Sequence, residues 1–255
     1  MEIRIDDQNV LIHRDTPWDA KSFGFNTNEI LSLKYTDNDA AKQLLKMFDY
    51  QCKEREITFS YTRIEAEDKW LRNILPQLGF YYAETTLYLT KNDLVKENFG
   101  TCFKNDLPLS VPDAKDFEQI RNIARNDFNY SRFHEDLNIN NNAARQRYYN
   151  WIDDLQKQNK QFVQYKQNDE VISFLAYEID GDKVDLILAG SVADKGFVSF
   201  GFWASFLTFF QKLGVKRAKT VISASNIGIM NLYSKLNFKF DKSMLGFHKF
   251  HHINQ

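Results

Sequence analysis

Residues 220–238, TVISASNIGIMNLYSKLNF, decide the fold. The opening TVISAS is strand-like. From Asn226 onward the apolar residues Ile229, Leu232, Leu236 and Phe238 recur at three- and four-residue spacing, which makes an amphipathic helix with one buried stripe. Tyr233 lies beside that stripe, so its ring can pack while its hydroxyl reaches a cleft, and both packing and chemistry fit. Residues 62–80, TRIEAEDKWLRNILPQLGF, overlay this stretch without a gap, with identities at Thr62/Thr220, Ile64/Ile222, Ala66/Ala224, Asn73/Asn231, Leu78/Leu236 and Phe80/Phe238. Both copies run strand, helix, strand. A structural repeat explains this, and so does the general likeness of amphipathic helices between strands. Tyr233 falls over Leu75 and Asn226 over Asp68.

Working outward, helices are expected at 38–55, 69–78, 113–128, 143–157 and 202–213. Strands are expected at 57–64, 83–90, 161–167, 170–179, 183–192, 218–225 and 243–250. Asn168-Asp169 and Gly181-Asp182 mark the turns between the central strands. The stretch 90–112 mixes charge, Gly and Pro and reads as a connection. The expectation is an α/β (α+β) chain, with a smaller N-terminal domain over 1–95 and a larger one over 104–255.

The 255 residues are 43% hydrophobic and 15% aromatic, enough for a large core. Lys and Arg number 33 against 34 Asp and Glu, a formal charge of −1. With no basic block, general attraction to nucleic acid or an anionic membrane is not implied, and an anionic ligand must be held locally. Cys52 and Cys102 have neither disulfide nor zinc spacing. The N-terminus lacks the apolar core of a signal peptide, and the uncharged run 196–211 is too short to span a bilayer, so the cytoplasm is expected.

The pattern Asn226-x5-Leu232-Tyr233-x-Lys235-x-Asn237-Phe238 resembles a segment of the GNAT superfamily of N-acetyltransferases. It departs from that segment at Ile229, where the superfamily usually has Ala, and at Asn237, in place of a Gly at the helix C-terminus. PWDAKSFGF (17–25), SRFHEDLNI (131–139), LILAGSV (186–192) and FHKF (247–250) resemble, in order, motifs of its dTDP-fucosamine acetyltransferase group. The resemblance implies a GNAT-like acyltransferase fold whose N-terminal domain is a partial GNAT half. It implies acetyl-CoA as co-substrate, no metal, and a small nucleotide-linked aminodeoxysugar as acceptor. The oligomeric state stays open, a homodimer included.

In that family acetyl-CoA lies between two splayed strands, with its pyrophosphate on backbone N–H groups at a helix N-terminus. The matching positions are Ala189, Gly190, Ser191, Val192, Lys195, Gly196, Phe197, Val198, Ser199, Phe200 and Gly201, together with Asn226 and Tyr233. Here the glycine-rich turn is reduced, with bulky Phe197, Val198 and Phe200 between its small residues. A buried helix start with no ligand also fits. Donors near Val192 are expected to hold the oxyanion, and Tyr233 to protonate the departing thiolate.

Ser131, Arg132 and His134 are the expected substrate contacts. Arg132 can fork to a phosphate or carboxylate and His134 can take a proton near neutral pH, while a solvated loop with Arg132 paired to Glu135 or Asp136 fits equally. His248, His251 and His252 read as a strand end and tail. Tyr149, Trp151, Phe206 and Phe210 read as packing. Trp18 and Phe23 fit either a pocket wall or a domain anchor. Acceptors other than a sugar nucleotide (a small amine, an aminoacyl group or a protein terminus) and a noncatalytic module remain alternatives.

Overall fold

The computed structural model describes residues 1–99 and 106–251. The division expected at 95–104 falls partly on residues outside that description. Two compact units are present. The first gathers Met1–Thr86, Arg132–Arg147 and Ser243–Gln255, and the second Leu87–Ser131 and Tyr148–Lys242.

In chain order the first unit holds β1 (Glu2–Arg4), β2 (Val10–Asp15), α1 (Pro17–Phe23), β3 (Thr27–Lys34), α2 (Asn38–Glu54), β4 (Phe59–Glu65) and α3 (Lys69–Gln77). β5 (Tyr81–Lys91) begins in it. β6 (Leu109–Ser110), α4 (Asp116–Asn126), α5 (Asn141–Lys157), β7 (Gln161–Gln167), β8 (Glu170–Asp180), β9 (Lys183–Ser191), α6 (Gly196–Lys212), β10 (Arg217–Ser223), α7 (Ile227–Lys235) and β11 (Lys239–Phe250) follow. Strand order in the first unit is β1-β2-β3-β4-β11-β5, and in the second β5-β10-β9-β8-β7-β6.

Local chemistry explains most of these elements. In α2, Ala41, Leu44, Leu45, Phe48 and Cys52 recur at helical spacing and are buried, beside Ile64, Leu71, Ile74, Leu75 and Phe247. β8 is buried on both faces from Val171 to Tyr177, as a central strand should be. α6 carries Phe202, Trp203, Phe206, Leu207 and Phe210 in the core of the second unit. Such a helix is apolar all round, which is why amphipathic periodicity placed its start at 202, not at Gly196.

The overlay of 62–80 on 220–238 is structural. β3 and β4 pair in parallel from Thr27↔Phe59 to Ile30↔Thr62, and β9 and β10 from Lys183↔Arg217 to Leu186↔Thr220. Each ladder ends at the matched threonine. Thr62 Oγ1 donates to the Ile30 carbonyl at 3.1 Å, and Thr220 Oγ1 to that of Leu186 at 3.1 Å. Asp68 caps α3 by accepting from the Leu71 N–H at 3.0 Å, while Asn226 caps α7 by accepting from Ile229 at 3.1 Å. Both helices end on a left-handed residue, Gly79 at φ 82° and Asn237 at φ 58°, which lets Phe80 N–H reach the Leu75 carbonyl and Phe238 N–H that of Tyr233.

Candidate functional site

Beyond each parallel ladder the strands run on without pairing to each other, β3 to Lys34 and β4 to Glu65 in the first repeat, so the repeats differ there in their side chains. After Leu186 and Thr220, β9 runs on to Ser191 and β10 to Ser223 without further pairing, so the strands part in a fork. Tyr233 sits at the vertex. Its hydroxyl is within hydrogen-bonding reach of Thr220, and its ring packs edge-on against Trp203 at 4.9 Å and Phe238 at 4.7 Å. Only 2% of the residue is exposed. Burial pushes the phenol well above its usual range, so it holds its proton at neutral pH.

Along the open side of β9 the backbone matters more than the side chains. The Val192 N–H donates to the Ile172 carbonyl at 3.0 Å, and that of Ala193 to the Asp127 carboxylate at 3.3 Å. The Val192 N–H is thus engaged, and donors near it must come from its neighbours on β9. Because N–H groups alternate sides along a strand, those of Ala189 and Ser191 face away from β8, toward the fork. Gly190 serves packing, since a Cβ there would come within 2.7 Å of the Phe128 ring and 2.9 Å of Phe174.

At the start of α6, Lys195 is the N-cap residue and makes no side-chain cap hydrogen bond. The corresponding helix of the first repeat, α2, is capped by its own carboxylate, with Asp37 accepting from the N–H groups of Asp39 and Ala40. A helix start without a side-chain cap can attract an anion. The side chains of Phe197, Val198 and Ser199, with Gly196 beside them, lie outside the described residues. Phe200 is half-buried under the Lys235 ammonium, and Gly201 lies within α6.

SRFHEDLNI divides between the units. Ser131 is buried in the second, whereas Arg132 belongs to the first, with His134 and Asp136. Arg132 pairs with neither Glu135 nor Asp136. Its guanidinium lies 4.0 Å above the Tyr61 ring centroid and 4.7 Å from that of Phe133, with Glu29 at 4.0 Å as its ion-pair contact. His134 is held at about 4 by burial, helped by the Arg145 charge, and is neutral at pH 7.

His248 lies in the closing strand β11, as the strand-end reading expected. His248 is fully buried, and its Nδ1 meets the Asp136 carboxylate at 2.7 Å, where Tyr81 also donates at 2.7 Å. Burial lowers the His248 pKa despite that carboxylate. His251 contacts Ser60, and His252 lies outside the described residues. Asp19, from the tryptophan-aspartate motif, is buried and accepts from Arg147 Nε at 2.7 Å and from the Tyr61 hydroxyl. Phe23 packs with Phe25, Phe59 and Phe133, while Trp18 lies under Arg14. Sequence reading missed Tyr61, Tyr81, Glu84, Asp136 and His248, which are far apart in the chain. The one signal was that Phe133 and His248 sit in motifs already singled out. Among the described residues no group of three metal-ligating side chains is gathered.

The fold is that of the GCN5-related N-acetyltransferases. A GCN5-related N-acetyltransferase from Sphaerobacter thermophilus superposes with a TM-score of 0.63 at 9% identity, over 97% of this chain and 82% of that one. A tandem GNAT protein from the clavulanic acid biosynthesis pathway does so with a TM-score of 0.61 at 7% identity, over 90% and 76%. In sequence the chain is 22% identical over 251 residues to the spore coat polysaccharide biosynthesis protein SpsD of Bacillus subtilis, covering 94% of this chain and 83% of that protein. No family model matches the chain.

Proposed function

We propose that the chain is an N-acyltransferase that moves an acetyl group from acetyl-CoA to the amine of a nucleotide-linked aminodeoxysugar. One observation carries the reading: a protonated phenol stands where two parallel strands part, beside a helix start that the chain leaves without a side-chain cap. Similarity to a polysaccharide biosynthesis protein favours a sugar acceptor.

The first-turn N–H groups of α6 and Lys195 would hold the pyrophosphate of the co-substrate. Bound there, acetyl-CoA supplies an acetyl thioester. The N–H groups of Ala189 and Ser191 polarise the carbonyl that the neutral acceptor amine attacks. Tyr233 gives its proton to sulfur as the C–S bond breaks, and the amine loses one proton as the amide forms. Asn226 acts as the cap that fixes α7, and so Tyr233, at the fork. Arg132 anchors the acceptor's anionic part.

The test is steady-state kinetics with acetyl-CoA and a panel of dTDP-aminosugars, nucleotide-free aminosugars and simple amines. Turnover of the nucleotide sugars alone, with Arg132→Ala raising the acceptor KM and leaving that for acetyl-CoA little changed, is expected. Turnover of simple amines alone, or an equal loss for both substrates, would remove the sugar-nucleotide assignment. Absence of any acetyl-CoA binding would leave a noncatalytic module.

A further inference from the structure

The first unit buries a group of charges of which the proposed transfer reaction uses only Arg132. Its carboxylates are matched. Asp19 has Arg147 at 2.7 Å, Glu84 has Arg63 at 2.7 Å, and Glu29 has Arg14 at 2.6 Å. Asp136 is held by His248, Tyr81 and Asn138. Arg132 is the exception. Only 9% of it is exposed, its ion-pair contact is the 4.0 Å approach to Glu29, and its Nη1 has no hydrogen-bond partner among the described residues.

A second polar atom is stranded beside it. Asp136 takes the Nδ1 proton of His248, which leaves Nε2 with a lone pair, and Nε2 too is buried with no hydrogen-bond partner among the described residues. The His248 ring stacks on Phe133 with centroids 5.8 Å apart and lies 6.2 Å from Tyr61, the same two rings that carry Arg132. A donor without an acceptor and an acceptor without a donor, on one aromatic floor, each cost stability unless something joins them. Arg132 and Glu29 keep 11% and 16% of their side-chain surface exposed, while His248 is fully buried.

We propose that Arg132 and His248 form a receptor in the first unit for a hydroxylated oxyanion, with the guanidinium donating to a negatively charged oxygen and His248 Nε2 accepting from a neighbouring hydroxyl. A sugar attached through a phosphodiester and a sugar carrying a carboxylate share this chemistry. Assigning the receptor to the acceptor rests on the acyl-transfer reading; the receptor itself does not.

Calorimetry with dTDP-glucose, glucuronate and glucose tests it on the intact chain. Binding of dTDP-glucose identifies the phosphodiester source and binding of glucuronate the carboxylate source, with no heat from glucose. Arg132→Met should weaken that binding about ten- to hundredfold. Nitrogen-15 spectra of the wild-type imidazoles need no variant. The His248 Nε2 resonance should be that of an unprotonated nitrogen and should move with the bound probe, while Nδ1 stays protonated. No heat from either anionic probe, equal binding of glucose, or an Nε2 signal that ignores the probe would overturn the receptor and indicate a fixed water. Acetyl-CoA is titrated separately. Heat from it without heat from the probes sinks the receptor alone, and the converse sinks the acyl-transfer reading alone.

Discussion

The two repeats share a ladder, a threonine latch and a capped helix, yet they differ in side chains at the helix start and beyond the ladder. At the helix start, Asp37 occupies in α2 the place that Lys195 leaves without a side-chain cap in α6. At the fork, Leu75 stands where the second repeat has Tyr233. The Tyr35 hydroxyl donates to Asp68, tying the first turn of α3 to the end of β3. Duplicated architecture thus conserves what folds, while a few side chains decide whether the fork is a core or a site.

The largest effect should come from removing one oxygen. Tyr233→Phe keeps the packing on Trp203 and Phe238 and should lower kcat by about 10²–10⁴-fold with acetyl-CoA affinity nearly unchanged. At the matching position, Leu75→Ala should cost about 2–5 kcal/mol of stability, read by denaturant titration, with kcat per folded molecule unchanged. If Tyr233→Phe turns over like the wild type, the tyrosine is core in both function and structure.

Making the second repeat resemble the first sharpens the comparison further. Lys195→Asp would place a carboxylate at the start of α6, and acetyl-CoA affinity should drop about ten- to hundredfold while thermal stability holds or rises. Asp37→Ala should cost about 0.5–2 kcal/mol of stability and leave acetyl-CoA binding untouched.

A smaller difference should appear on acidification. His134, His248 and His251 all belong to the first unit, and burial lowers all three pKa values, to about 4 for His134 and His251. Below the unfolded value of about 6.5 the unfolded chain binds more protons than the folded one, so stability falls as the pH drops from about 6.5 toward 4. Hydrogen exchange across that range should rise first in α2, β4 and β11, before α6 and β9. A simultaneous loss in both units would contradict this.

Much of the fold was legible because its helices and inner strands carry strong periodicity, and because Asp68, Asn226, Gly79 and Asn237 sit where caps belong. The N-terminal β1, β2, α1 and β3 were not, because in VLIHRD and TNEILSLK polar His13, Thr27 and Asn28 are buried while apolar Ile12 and Leu31 face water, which breaks the alternating signal. The fork was legible through the matched positions of Thr220 and Tyr233. His248 was missed for a physical reason: buried polar groups are satisfied by partners distant in sequence, and Asp136 lies 112 residues away.

The repeat comparison meets its most direct test in the stoichiometry of acetyl-CoA binding, measured by isothermal titration of the full chain. One site per chain is expected, weakened about ten- to hundredfold in Lys195→Asp and unchanged in Asp37→Ala. Two sites, or no heat at millimolar acetyl-CoA, would contradict the division into a repeat with a side-chain cap at its helix start and one without.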